Sequence, residues 1–377
     1  MTGGPGTTLH RPPPEGPPGA AGCDPQRVHS SLSGSLFLRL HDLSQVGGAR
    51  RAVTLLARRL GLDDTSVGTA ALAVTEVAKN LLQHAGGGEL ALWWTPAGPD
   101  DAPVLEVTAV DRGPGMRDVA RCFTDGYSTA GTPGTGLGAV RRAAQELDVF
   151  APPGGGTVMW FRLGRKSQPG IVTSGFETGA VVAPLEGESA LGDAWAVAEH
   201  AGGLVGVLCD GLGHGPVAAE AAREALRYVC DHPLDPPEAM IEGMHRALGA
   251  TRGVVAGVAH WAPRGGRVRF AGVGNVAAVV EAPGGERRHL VSHHGTLGHT
   301  MSNVQAFEAE MDDDALLVLH SDGLDTRWKL ADYPGLALRH PGVVAGVLHR
   351  DFRRGRDDAA VLVMRRRRAR EEPWRAS

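Results

Sequence analysis

Residues 71–88 read ALAVTEVAKNLLQHAGGG, and this stretch decides how the first half of the chain folds. With the residues just before it, it sets Val67, Ala70, Ala71, Val74, Val77, Ala78, Leu81 and Leu82 on one face at helical spacing. Asp63 or Asp64 caps this helix, and Gly86-Gly87-Gly88 stops it. Glu76 and Asn80 fall on the opposite face, with His84 one turn further on. A carboxylate and an amide oxygen thus share one exposed spot, which taken by itself reads as an ordinary solvated helix face.

On the N-terminal side, SLFLRL (35–40) alternates as a strand. A helix follows Ser44, carrying Val46, Ala49, Val53, Leu56, Ala57 and Leu60 at helical spacing. On the C-terminal side come strand-like runs at 89–94 (ELALWW) and 104–110 (VLEVTAV), a helix near 137–147 and a closing strand at 157–163 (TVMWFRL). Two glycine-bearing loops lie among these elements. Asp111-Arg112-Gly113-Pro114-Gly115 directly follows an apolar strand, so an acidic acceptor meets glycines that permit close backbone approach; a plain tight turn accounts for it equally well. GTPGTGLGAV (131–140) sets four glycines ahead of an apolar helix, where free N–H groups meet phosphate. It lacks the Lys-Ser/Thr ending of a P-loop and is not the Rossmann fingerprint.

In this order, the segments 71–88, AVDRGPGM (109–116) and FTDGYSTAGTPGTGLGAVRR (123–142) resemble the GHKL ATPases, and within them the anti-sigma and stressosome switch kinases of the RsbT type. The resemblance implies an α/β sandwich holding ATP against an antiparallel sheet. It assigns Asn80 to the Mg²⁺ bridging the phosphates, Glu76 to general-base work on a serine hydroxyl, and Asp111 to the adenine amino group. Gly113 and Gly115 would admit the nucleotide, and Thr135, Gly136, Leu137 and Gly138 would cradle its phosphates. Phosphoryl transfer needs this combination of positioning, divalent charge and a carboxylate beside the nucleophile.

After the polar stretch GRKSQPG (164–170) the pattern changes to many short apolar strands, with helices fitting at 216–230, 236–248 and 341–354. Two strands end alike, in LCDGLGHG and LHSDGLDT, so that Asp210 and Asp322 emerge at strand ends; Asp-Gly is also a common turn dipeptide. Gly192-Asp193 precedes one strand, and Gly355-Arg356-Asp357-Asp358 precedes the last. Separated carboxylates at strand edges, with no paired histidine or cysteine, favour a hard oxygen-ligated ion such as Mg²⁺ or Mn²⁺. Two such ions can clamp a phosphoryl group and activate a water.

The motifs GDAW, CDGLGHG, FAGVGN (270–275), SDG and RDDAAVLV resemble the SpoIIE-type branch of the PP2C-like serine phosphatases, in a short form of the RsbX type. That resemblance assigns Asp193, Asp210, the Gly211 carbonyl, Asp322 and Asp357 to metal, with Asp358 as an alternative to its neighbour. His293, His294, His299 and His320 have no regular ligand spacing and read as surface or packing residues. His214 reads as shaping the glycine loop, and Cys209 as simply buried.

The expected fold is therefore two-domain α+β: a GHKL-type α/β sandwich over 35–164, a linker at 165–173, and a PP2C-like α-β-β-α sandwich over 174–366. Residues 1–34, rich in Pro and Gly, are expected to be a disordered tail, and 367–377 a charged one that begins in the run Arg365 to Arg368. A length of 377 residues suits two domains, and a net charge of −4 gives no reason to expect nucleic acid. Four cysteines without C-x-x-C spacing suggest reduced thiols, and no run approaches the roughly 20 apolar residues that span a bilayer. The expectation is a cytoplasmic protein with no membrane contact. Its expected partners are STAS-type antagonist or stressosome proteins, with a sigma factor or a partner phosphatase in the same pathway. An alternative is that the first half only docks partners in an ATP-dependent shape while the second half performs the chemistry.

Overall fold

The computed structural model describes residues 27–31, 34–95, 103–124, 136–164, 175–188, 190–262 and 266–367. The first half contains β1 (Arg27–Ser30), β2 (Ser35–Leu40), α1 (Gln45–Arg59), α2 (Asp64–Ala85), β3 (Gly88–Thr95), β4 (Val104–Val110), α3 (Val119–Cys122), α4 (Gly136–Ala143), β5 (Glu146–Phe150) and β6 (Val158–Leu163). The Asp63 carboxylate accepts from Ser66 N at 2.9 Å to start α2, and Gly86 ends it at φ 73°, a left-handed conformation that glycine adopts freely. Strands β2-β3-β4-β6-β5 form one antiparallel sheet. The apolar faces of α1, α2 and α4 bury one side of it, with Val53, Val74, Leu90, Val107 and Phe161 in the core.

The second half contains β7 (Phe176–Ala183), β8 (Asp193–His200), β9 (Gly203–Gly211), α5 (Pro216–Asp231), α6 (Pro237–Ala247), β10 (Val254–Trp261), β11 (Arg267–Val273), β12 (Ala277–Glu281) and β13 (Arg287–Leu290). It continues through the two-residue strands β14 (Gly295–Thr296) and β15 (Thr300–Met301), then β16 (Phe307–Glu310), β17 (Leu316–His320), α7 (Pro341–Phe352) and β18 (Ala359–Arg366). The sheet β1-β8-β9-β10-β11-β16 packs on the sheet β13-β12-β17-β18-β7, with Trp195, Leu208, Trp261, Phe270 and Leu362 between them. Helices α5 and α6 cover the outside of the first of these sheets. The outside of the second is covered by α7.

Helix α7 has a second neighbour. Val343, Val344, Val347 and Leu348 share one core with Val110, Phe150, Val158 and Trp160, which lie on the open face of the first domain's sheet. The molecule is thus a continuous stack in which one helix serves both halves. Its N-terminus is pinned by Asp148 of β5, which accepts from His340 N at 2.6 Å, a favourable place for a negative charge. The His340 ring stacks on Trp160 with centroids 3.4 Å apart. Gly342 lies so close to Trp160 that an added Cβ would stand 2.3 Å from the indole, and one added at Gly179 would stand 2.0 Å from Gly342 N. Substituting Gly342 by leucine should therefore lower stability by about 1–3 kcal/mol through overpacking, measured by urea unfolding. A Gly342→Leu protein as stable as the parent would mean that α7 does not pack this tightly between the halves.

Three expectations are corrected. Residues 27–30, assigned to the tail, form β1 on the edge of β8 with Arg27 opposite Glu199. An open strand edge supplies the backbone partners, so little apolar side chain is needed. The helix expected near 137–147 stops at Ala143, and 146–150 becomes β5 because it pairs with β6 from Glu146↔Arg162 to Phe150↔Val158. Arg365 does not leave the fold: it lies buried in β18, ion-paired at 2.7 Å with Glu177 across the strand pair. The expected linker at 165–173 and all but Arg367 of the expected final tail lie outside the described residues. Among the described residues no helix is long and apolar enough to cross a membrane.

Candidate functional site

Two separate groups of residues emerge, one in each half. In the first, the polar face of α2 presents Glu76 and Asn80 beside the start of α4. Gly136 stands so near Glu76 that an added Cβ would lie 3.0 Å from its Oε2, while Oε1 accepts from Lys79 Nζ at 2.9 Å. Lys79 was not singled out from the sequence, although its i,i+3 spacing to Glu76 is a signal for such a pair. The Asn80 side-chain nitrogen is buried without a hydrogen-bond partner, a donor free for an acceptor such as a phosphate oxygen. Gly136, Leu137 and Gly138 form the first turn of α4, where backbone N–H groups have no intrahelical partner. Thr135, assigned to the same cradle, lies outside the described residues.

Asp111 follows β4 and uses Oδ1 to accept from Gly113 N (2.8 Å) and Thr157 N (3.0 Å). The Thr157 side chain also hydrogen-bonds this carboxylate. Burial raises its carboxyl above the ordinary range, against the pull of those two backbone bonds. The two glycines of this loop have protein neighbours: a Cβ at Gly113 would stand 2.6 Å from Ala85, and one at Gly115 2.1 Å from the Pro152 carbonyl. Packing of the loop against α2 and residues 151–152 already accounts for their lack of side chains.

In the second half the carboxylates gather at one end of the sandwich. Asp193 opens β8 and stands opposite Asp210 on β9. From the other sheet, the buried Ser321 hydroxyl donates to Asp193 Oδ2 at 2.6 Å and accepts from Ala360 N at 3.0 Å. Asp322, the next residue, accepts from Asn275 Nδ2 at 2.7 Å. Ahead of β18, Asp358 accepts from Leu185 N (2.6 Å) through one oxygen and from Gly192 N (2.5 Å) through the other. Asp357 is half-buried and accepts from Asp358 N through Oδ1 at 2.9 Å.

Burial and mutual repulsion raise the proton affinity of these groups. Asp193 is held well above the ordinary carboxylate range by burial and by the charge of Asp210, against the Ser321 bond. Asp210 is raised by burial and by Asp322, Asp357 and Asp358. Among the described residues no three His, Cys, Asp or Glu side chains are already closed around a point that could hold an ion. The set nonetheless suits a hard divalent cation, since these are oxygen donors whose like charges a cation would offset.

His214, His293, His299 and His320 have partners of their own. His214 pairs with Glu188 at 2.9 Å. His320 is buried, with Nδ1 at 2.9 Å from the Ser321 carbonyl and Nε2 accepting from Trp328 Nε1 at 3.2 Å; His293 and His299 bond to backbone. Cys209 is fully buried, and burial pushes its thiol upward. Ser321 and Asn275 escaped the sequence reading, although Ser321 sits inside the quoted SDG motif and Asn275 ends FAGVGN.

Comparison with known proteins matches residues 40–163 to the histidine kinase-like ATPase domain and residues 200–367 to stage II sporulation protein E (SpoIIE). The chain is 30% identical over 118 residues to the serine/threonine-protein kinase RsbT of Bacillus subtilis, spanning 87% of that protein and 30% of this chain. It is 25% identical over 140 residues to the phosphoserine phosphatase RsbX of Bacillus subtilis, spanning 70% of that protein and 37% of this chain. A crystal structure of RsbX in complex with magnesium superposes with a TM-score of 0.44 at 20% identity, over 51% of this chain and 96% of that one. Glu76, Asn80 and Asp111 fall inside the first matched range and Asp210, Asp322 and Asp357 inside the second, while Asp193 lies just before it. The chain belongs to the family of RsbT among the histidine kinase-like ATPases, and after that domain it carries a SpoIIE-type domain similar to the phosphoserine phosphatase RsbX.

Proposed function

We propose that the chain is a bifunctional phosphoswitch: its first domain transfers phosphate from ATP to serine or threonine of STAS-type antagonist or stressosome proteins, and its second removes such phosphates. The observation that carries this reading is the gathering of Asp193, Asp210, Asp322 and Asp357 at one end of the sandwich, where burial and like charge raise Asp193 and Asp210 together. Asp193, Asp210, Asp322, Asp357 and the Gly211 carbonyl would hold two Mg²⁺ or Mn²⁺ ions. Bound there, the ions would offset phosphoryl charge and activate a water for in-line attack. Asp358, committed through both oxygens to backbone, shapes the site. In the first domain Asn80 would hold the Mg²⁺ that accompanies ATP, Asp111 would accept from adenine, and Glu76 would take the proton of the attacking hydroxyl.

Phosphate release from a phosphoserine peptide tests the phosphatase assignment. It should require added Mn²⁺ or Mg²⁺, stop with a chelator and return with fresh metal; release indifferent to metal would refute it. A second reading, in which the first domain binds ATP only to dock partners, is favoured by the ion pair that occupies one oxygen of Glu76. ATP binding without label transfer to any STAS-domain protein would select that reading.

A further inference from the structure

Glu89 on β3 lies at the contact between the two halves and meets three basic groups. His349 Nε2 donates to its Oε2 at 2.8 Å, and the guanidinium groups of Arg39 and Arg353 lie 3.7 and 3.6 Å from its Oε1. Arg39 is its cross-strand partner on β2, whereas His349 belongs to α7 and Arg353 follows it. Both arginines also donate to a single acceptor, the carbonyl of Pro184, at 2.7 Å from Arg39 and 2.5 Å from Arg353. Charge-assisted bonds of this kind are about twice as strong as neutral ones.

Pro184 opens the segment that leads to the carboxylate cluster. The next residue, Leu185, and Gly192 at the far end of the segment are the two backbone donors on Asp358. The Gly192 carbonyl in turn accepts from Gly211 N at 3.1 Å, and Asp193 is the following residue. One anchor of this segment is Asp358; the other is the pair of arginines on Pro184, and one of those arginines comes from the first domain.

We propose that the ATPase-like domain is a working part of the phosphatase centre: Arg39, oriented by Glu89, is a positioning residue that holds Pro184 and Leu185 against Asp358, and through the Asp358 bond to Gly192 N sets Asp193 and Gly211 for metal. The inference rests on the reading of that centre as a metal site. Ligand-orienting partners carry about 10–100-fold in metal affinity when they contact the ligands directly, and Arg39 acts further out, through Pro184, Leu185, Asp358 and Gly192.

The test uses the full chain with Arg39→Ala and Arg39→Lys, the latter keeping the charge but losing the fork that reaches Glu89 and Pro184 together. In metal-free protein, hydrogen exchange of the peptide spanning 184–193 should speed up in Arg39→Ala while the core strands keep parental protection. Mn²⁺ titration should show affinity weakened on the order of tenfold, with Arg39→Lys intermediate. Exchange in this peptide as slow as in the parent, together with unchanged Mn²⁺ affinity, overturns the proposal. If Arg39→Ala does not fold, Arg39→Lys decides by the same two readouts. A parent protein that takes up no Mn²⁺ overturns the metal reading instead, and the exchange measurement, made without metal, then judges the role of Arg39 alone.

Discussion

Replacing Asp210 by alanine is expected to reduce metal-dependent phosphate release by about 1000-fold or more, equivalent to about 4 kcal/mol of transition-state stabilisation. The expectation follows from position. Asp210 stands at the end of β9, opposite Asp193, in the field of Asp322, Asp357 and Asp358. Removing it takes away the carboxylate that lies among the others, and with it the donor that would draw an ion between the two sheets. Fold should survive, because the remaining carboxylates are relieved of its like charge. Initial rates on a phosphoserine peptide at saturating Mn²⁺, with thermal unfolding as the control, check this. Near-parental turnover would remove Asp210 from the reaction.

The second large effect concerns Glu76→Gln, which keeps the shape of the side chain and discards its basicity. Phosphate transfer to a STAS-domain serine should fall about 100- to 10,000-fold, the range that a positioned general base contributes. ATP affinity should hardly change, because the residues assigned to the nucleotide are Asn80, Asp111 and the first turn of α4. Single-turnover transfer and equilibrium binding of an ATP analogue separate the two quantities. Parallel loss of binding and transfer would instead mark Glu76, with its Lys79 partner, as part of the nucleotide pocket wall.

Much of this arrangement was readable from local patterns, because helical spacing in α2 and strand-end Asp-Gly pairs are set by residues close in sequence. The face bearing Glu76 and Asn80 follows from a 3.6-residue period alone. What escaped was decided between distant segments. Arg365 reads as the start of a charged tail until Glu177 is placed opposite it, and β1 has few apolar residues because its partner is a strand edge. The two backbone N–H groups that hold Asp358 lie more than 160 positions away in the chain, out of reach of any local pattern. Helix α7 did carry a signal that went unused. Its sequence PGVVAGVLHR is apolar or small through most of its length, the mark of a helix covered on more than one side, and all ten of these residues are buried.

The shared helix and the Arg39–Pro184 contact join the two halves, and opposing reactions on one substrate are the claim that most needs a direct measurement. The full chain, a STAS-domain protein, γ-labelled ATP and divalent metal should be followed in a single time course with three proteins. Asp210→Ala should accumulate label on the substrate, Asn80→Ala should give none, and the parent should settle between them at a level that rises when phosphatase metal is limiting. Identical labelling by all three proteins would contradict the account.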